Sequence, residues 1–354
     1  MDLQQLLLLT IKNNASDLHL IPDIPPTIRI DGVLSYLANF QALSPQSVES
    51  LIFSVLKQEQ KDMLLANKEL DFSMSFGTST EQMGRFRVNA YFQRGLLCAA
   101  FRFLPKTIKS VEELHLPKIC HSFASARQGF ILITGPTGQG KSTTLAALIN
   151  EINMTRSAHI LTIEDPIEYI YPQGKGIFSQ REMQLDTTSW TMALRSALRE
   201  DPDVVLIGEM RDADTMAAAM TIAETGHLVF STLHTNSAAQ TIDRIIDSFP
   251  AYQQSQVRNQ LAFTLRGIIS QRLLPQINGG RIPAVEVLIG NSAIASNIRD
   301  GKTHLIDSII QTSQEIGMIT LDSSLSQLVL SGAVSLDIAK AYSLHPDELL
   351  HLVK

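Results

Sequence analysis

Phe130-Ile-Leu-Ile-Thr134 runs directly into Gly135-Pro136-Thr137-Gly138-Gln139-Gly140-Lys141-Ser142-Thr143, and this stretch decides the fold. An apolar run of strand length opens into a glycine-rich turn, and residues 145–152 continue with helical spacing. The pattern G-x-x-x-x-G-K-[ST] in that strand-turn-helix setting is a phosphate-binding loop. Its glycines let backbone N–H groups turn inward around phosphate oxygens, and the helix N-terminus adds a favourable dipole. Lys141 is placed to reach the outer phosphates, and Ser142 to ligate magnesium. By chance the bare pattern arises on the order of once per hundred chains of this length, and the flanking elements make it rarer still. ATP or ADP with Mg2+ is the expected ligand, cradled by Gly135 through Thr143.

Three further apolar runs follow, at 159–163, 204–208 and 228–232, with helical segments between them. That spacing predicts a mostly parallel sheet wrapped by helices, with ligands at the carboxyl ends of its strands. Polar residues follow each run: Glu164-Asp165-Pro166-Ile167-Glu168, then Glu209-Met210-Arg211-Asp212, then His234-Thr235-Asn236. Hydrolysis needs magnesium ligands and a group that orients water. Glu164 and Glu209 are the candidates, with Glu209 and Ser142 as candidate metal ligands. Asp165 and Glu168 can serve instead to fix loop geometry. Gly208 stands where many such enzymes carry a magnesium-binding aspartate, so that assignment does not transfer directly. His234, at a strand end, can donate a hydrogen bond to the γ-phosphate and report its loss. His227, before the same strand, can equally hold the loop.

Working back toward the N-terminus, residues 17–21 and 27–30 read as short strands and 45–57 as a helix, a small α+β unit. From Gly84 the period becomes two, with Phe86, Val88, Ala90 and Phe92 on one face and Arg85, Arg87 and Asn89 on the other. Arg94-Gly95 ends that run, and 96–103 returns as a second strand. Pro105 and Pro117 bracket a polar stretch, so residues 1–108 are expected as one domain, 109–117 as a linker and 118–290 as the nucleotide-binding core. Residues 291–354 are expected to form a helical C-terminal part, with Leu321, Leu325 and Leu328 at helical spacing.

The chain has 354 residues, 44% hydrophobic and 18% charged, enough to bury two cores. A net charge of −6 supplies no general field for a nucleic-acid backbone, so no nucleic-acid partner is expected. No apolar run approaches the roughly 18 residues of a membrane span. Residues 6–9 follow Asp2 without a basic segment or cleavage site, which reads as a helix rather than a signal. Cys98 and Cys120 lack metal-site or disulfide spacing and are expected as reduced core residues in the cytoplasm.

Together the motifs resemble the PilT family, the type IV pilus retraction branch of the secretion ATPase superfamily. Gly135 to Ala147 carries its phosphate-binding loop; Ile163-Glu-Asp-Pro-Ile-Glu168 resembles its Asp box. Residues 196–212 resemble its atypical Walker B, and 223–230 with 232–239 and 241–247 resemble its His box. Similarity extends to 15–20, Pro25-Pro26 and 84–90, and to Gly317-Met318 and Leu321-Asp322, so it spans nearly the whole chain. The resemblance implies a RecA-like P-loop ATPase domain preceded by a small α+β, PAS-like domain, and a homohexameric ring with nucleotide between the domains. It implies a motor that couples ATP hydrolysis to pilus retraction, pilin disassembly and twitching motility. It also implies a cytoplasmic location, peripheral at the inner membrane, a platform protein of that membrane as partner, and room for a companion retraction ATPase. In such a ring Arg85, Arg87, Arg94 or Arg102 gains a purpose, since a guanidinium inserted at the γ-phosphate neutralises its charge. Without a ring they are ordinary surface pairs on a solvated strand face.

Two positions depart from the family pattern. Gln139 replaces a common serine at a place expected to contribute mainly backbone N–H, and Ala295 replaces an arginine in a segment associated with retraction, where Arg299 is kept. The second departure leaves pilus extension, an accessory role or type II/IV secretion open as alternatives. A RecA-like nucleic-acid-binding ATPase and a ring that binds ATP without turnover are the more distant ones. Which of Glu164 and Glu209 is the base stays open.

Overall fold

Strict alternation along residues 84–92 has its counterpart in an antiparallel sheet covered on one face. The computed structural model describes residues 2–30, 32–77, 82–104 and 107–354, with side chains at 82 and 83 left aside. Pro105, one of the two prolines bracketing the expected linker, lies outside the described residues. The described residues divide into two compact units, 1–107 with 166–170, and 108–165 with 171–354.

The first unit is built on β1 (Asp17–Leu20), β2 (Thr27–Ile30), β3 (Val33–Tyr36), β4 (Glu69–Gly77), β5 (Gln82–Gln93) and β6 (Leu96–Leu104). They form an antiparallel sheet in the order β3-β2-β1-β6-β5-β4. Arg94 and Gly95 join β5 to β6 with φ of 50° and 77°, the left-handed pair a two-residue hairpin turn requires. On the covered face Phe86, Val88 and Ala90 are fully buried together with Leu6, Leu18, Ile52 and Phe101. Helices Leu3–Lys12, Pro45–Phe53 and Gln58–Asn67 belong to this unit. The helix expected over 45–57 ends at Phe53, where Ser54 folds its hydroxyl back onto Leu51 O at 2.6 Å, and a new helix starts after Lys57.

The second unit carries β7 (Gly129–Thr134), β8 (His159–Glu164), β9 (Ile177–Glu182), β10 (Val204–Ile207), β11 (Leu228–Leu233), β12 (Leu265–Pro275) and β13 (Arg281–Ile289). Their order is β13-β12-β7-β11-β10-β8-β9, parallel except for the β12–β13 hairpin. The expected parallel sheet wrapped by helices is thus present, of the RecA-like kind. Its strands are apolar throughout because both faces are covered: Phe130 and Leu132 enter one core, Ile131 and Ile133 the other. No helix among the described residues is long and apolar enough to cross a membrane.

Register aligns the strand ends. Leu132 lies opposite Ser231, Ser231 opposite Ile207, and Ile207 opposite Ile163, so the chain leaves β7, β11, β10 and β8 at nearly one level. Gly135, His234, Glu209 and Glu164 all lie one to three residues beyond that level. The segment expected as a linker is anchored, with Val111 and Leu116 buried in the core that also holds Phe123, Leu148 and Ile152. Three strands lie outside the apolar runs read from the sequence. β9 is a half-exposed sheet edge, β12 buries Ser270, Gln271 and Arg272 in its middle, and β13 buries Glu286.

In the first unit Phe86 is fully buried and its ring centroid lies 6.0 Å from Phe76, 6.5 Å from Phe101 and 5.4 Å from Phe103. Phe86→Ala is expected to destabilise that unit by about 3–5 kcal/mol, read as a lowered denaturant midpoint with an unchanged slope.

Candidate nucleotide site

The turn after β7 is built from backbone that only glycine adopts without strain. Gly135, Gly138 and Gly140 have φ of 141°, 80° and 83°. Gly140 caps the helix Lys141–Thr155, so the free N–H groups of its first turn lie at the end of the loop. Lys141 is buried and its ammonium donates to Gly135 O at 2.8 Å and Pro136 O at 3.0 Å. The same nitrogen lies 3.4 Å from His234 Nδ1, and Thr137 Oγ1 lies 3.5 Å from it. A cationic donor and a hydroxyl on one side make Nδ1 the acceptor, so the proton of the neutral ring sits on Nε2. Nε2 in turn faces Glu209 Oε2 at 3.3 Å, and Arg211 holds the other oxygen of that carboxylate. Burial, then the positive charges of Lys141 and Arg211, holds His234 below the usual histidine pKa, which keeps the imidazole neutral.

Glu164 ends β8, and its Oε1 accepts from Thr162 Oγ1 at 2.6 Å. Gly208 passes close to it: a Cβ on Gly208 would sit 3.4 Å from Glu164 Cα, so an aspartate there would project toward the Glu164 backbone. Thr232 Oγ1 donates to Gly208 O at 2.7 Å, fixing the turn that carries Glu209. His227 bonds Ile222 O and Thr225 Oγ1, each at 3.0 Å, which assigns it to holding its loop. Lys141, His234 and Glu209 are therefore brought into one chain of contacts, with Glu164 on the neighbouring parallel strand.

The sequence reading missed the contribution of β12 and β13. Gln271 is buried, accepting from Thr144 Oγ1 at 2.7 Å and donating to Gln139 O at 2.6 Å. Gln139 Oε1 accepts from Leu273 N at 2.6 Å, so this side chain does more than the backbone role expected for it. Arg272 donates to Gln271 O at 3.2 Å and Asn236 O at 3.0 Å, and burial depresses its pKa. Glu286 accepts from Ala238 N at 2.7 Å at the start of the helix Ala238–Asp247. The one available signal was positional: Ser270-Gln271-Arg272 follows the apolar pair Ile268-Ile269 as the other motifs follow their strands.

Arg85, Arg87 and Arg102 belong to the first unit. Register places Arg29, Asp17, Arg102, Arg87 and Ser73 in one row across five neighbouring strands. Arg102 and Arg87 face each other directly, a like-charge pair offset by acids on either side. Arg102 Nε lies 3.0 Å from Asp17, and Arg87 lies 2.6 Å from Asp71 and 3.9 Å from Glu168. Arg85 donates to Ser73 and Ser75.

Residues 2–320 match the family model for type II/IV secretion system proteins. The type IV pilus retraction ATPase PilT of Pseudomonas aeruginosa is 44% identical over 98% of this chain and 99% of its own length. The type IV pilus ATPase PilU of the same organism is 38% identical over 100% of this chain and 92% of its own. A crystal structure of the pilus retraction motor PilT with bound ADP superposes with a TM-score of 0.90, at 46% identity and 99% coverage of both chains.

In β13, Glu286 is poised to titrate. Burial, the largest cause, pushes its pKa from 4.5 up to about 7, with Asp307 and Asp322 adding and the Ala238 N–H and Arg272 opposing. A folded-state pKa above the unfolded one means stability that is full below pH 4.5 and is lost as pH rises through about 7. Glu286→Gln keeps an acceptor for Ala238 N and removes that titration. Between pH 5 and 8 the Tm of the unsubstituted chain is expected to fall relative to the variant, and parallel Tm curves would contradict the assignment.

Proposed function

We propose that this chain, which belongs to the type II/IV secretion system protein family and within it to the PilT branch, is an ATPase motor that drives type IV pilus retraction. The observation that carries the proposal is the contact chain Lys141, His234, Glu209 at the mouth of the phosphate-binding loop. It sits in a chain aligned along 99% of a pilus retraction motor that binds ADP. Residues 118–290 are taken as the ATPase core and 291–354 as its helical C-terminal part. The N-terminal antiparallel sheet is taken as PAS-like.

The residues present fit a nucleotide with magnesium. Nothing lies within 4 Å of where a Cβ on Gly138 would be, Lys141 supplies a cation, and Ser142 and Glu209 supply hard oxygen donors for Mg2+. A magnesium ion held by Ser142 and Glu209 would supply charge neutralisation for the phosphates. Lys141 exchanges its bonds to Gly135 O and Pro136 O for phosphate oxygens. His234 loses a donor to Nδ1 as Lys141 turns away, while its Nε2–H stays directed at Glu209. The imidazole thereby relates the state of the phosphates to the carboxylate that, with Glu164, orients and deprotonates the attacking water. Arg85, Arg87 and Arg102 are proposed fingers that reach a neighbour's nucleotide in a ring of six copies. The ring would act at the cytoplasmic face of the inner membrane, on a platform protein there, with a companion ATPase as a further partner.

Purified protein is expected to hydrolyse ATP only with magnesium. Lys141→Ala and Glu209→Ala should each lower kcat by about 100-fold or more, Glu209→Ala while still binding nucleotide. Wild-type turnover in Lys141→Ala would refute the site. Because the neutral form of His234 persists below its ordinary pKa, turnover should hold through pH 6.5 and fall in more acidic buffer, and His234→Gln should flatten that fall. Mass measurement with and without nucleotide should find six subunits, and a strict monomer under both conditions overturns the ring.

Ala295 favours one second reading, an accessory ATPase. It lies on the helix Ser292–Arg299 and lines an open cavity of about 210 Å³ with Arg266, Asn291 and Ile298, space into which a longer side chain can extend. A deletion strain separates the readings: retraction predicts accumulated pili, extension predicts none, and an accessory or secretion role leaves pilus number unchanged. If pili accumulate, Ala295→Arg is expected to fold with wild-type Tm and to complement the deletion.

A further inference from the structure

β12 runs on past the end of β7. Thr134, the last residue of β7, lies opposite Ser270, so the edge of β12 from Gln271 onward has no β7 backbone beside it. The phosphate-binding loop occupies that edge instead. A Cβ on Gly135 would lie 2.4 Å from Gln271 O, and one on Gly140 would lie 2.9 Å from Gln271 Nε2, whereas one on Gly138 would meet nothing. Gly135 is therefore required by the Gln271 backbone as well as by φ, and a side chain at Gly140 would have to displace the Gln271 amide.

We infer that Gln271 and the side chain of Gln139 form a clasp that fixes the loop's phosphate-facing amides and thereby slows nucleotide release. The inference rests on the nucleotide-binding reading above and assigns positioning roles to two side chains. The orientation of the Gln271 amide is determined by its partners. Gln139 O can only accept, so Nε2 faces it at 2.6 Å, and Oε1 faces the Thr144 hydroxyl at 2.7 Å. One buried amide thus ties the tip of the loop to the first turn of the helix that follows it. In a trans peptide C=O and N–H point in opposite directions, so drawing Gln139 O toward β12 turns Gly140 N–H to the other side, into the loop. The second bond, Leu273 N to Gln139 Oε1 at 2.6 Å, satisfies a donor on the exposed edge of β12 and stops residue 139 from rotating. An amide held in advance in its phosphate-binding direction needs no ordering when nucleotide binds, and it loses its ligand more slowly.

The test is the dissociation rate of a fluorescent ADP analogue, by stopped flow on the full chain, with Tm measured alongside. Gln139→Ala removes only the bond to Leu273 N and is expected to speed release about 3- to 10-fold with Tm close to wild type. Gln139→Glu still offers an oxygen to Leu273 N and is expected to release ADP several-fold more slowly than Gln139→Ala. Gln271→Glu sets a carboxylate oxygen against Gln139 O and is expected to give the fastest release of the set. Wild-type release from Gln139→Ala overturns the clasp, as does equal release from Gln139→Ala and Gln139→Glu. An unsubstituted chain that fails to bind ADP overturns the nucleotide reading itself, an outcome distinct from bound ADP leaving at an unaltered rate.

Discussion

Everything chemical in the second unit depends on one constraint, the common register of four parallel strands. Because Leu132, Ser231, Ile207 and Ile163 lie side by side, the four connections that leave their strands start from one line. Burial holds that line. A one-residue slip in β7 would exchange Phe130 and Leu132 with Ile131 and Ile133 between two cores of different shape. The sheet therefore supplies positional precision, and the turns supply only reactive groups. This division explains how a glycine-rich loop with φ values far from ordinary strand geometry can still be placed reproducibly.

Electrostatics then decides how the placed groups communicate. Three cationic or polar donors, Lys141, Thr137 and Arg211, surround the pair His234 and Glu209. Protonating the imidazole would direct a second N–H at the Lys141 ammonium, and burial already disfavours that charge. A neutral ring with Nδ1 as acceptor is the state compatible with both neighbours. It can pass on a change at Lys141 only as a change in hydrogen bonding, since its own charge does not alter. The contacts concerned, at 3.3 to 3.5 Å, are long ones and cost little to rearrange.

How far the site was legible follows from the same physics. Glu164, Glu209 and His234 each follow a run of apolar residues long enough to be read as a strand, so parallel topology alone sets them at the same end of the sheet as the loop. Gln271, Arg272 and Glu286 escaped because they lie inside strands, where buried polar residues interrupt the apolar pattern that identifies a strand. Their partners are also far off in sequence: Gln271 meets Gln139 and Thr144, and Glu286 meets Ala238. In the first unit the two faces of β5 were legible from period two, with Arg85 and Arg87 opposite Phe86 and Val88. The acids that hold the arginines were not, since Asp17 is 85 residues from Arg102.

The arginine row shows how one face of a sheet carries like charges side by side. Arg87 and Arg102 stand opposite each other on adjacent strands, and each is paired with an aspartate. The half-exposed pair Arg87–Asp71 contributes about 1 kcal/mol or less, whereas Asp17 is buried and relies on Arg102 as its charge partner. The pairs keep the like charges of the row apart and oriented. Stability of the unit comes from the opposite face of the sheet, where Phe86 and Phe101 supply burial to which the charged row contributes nothing.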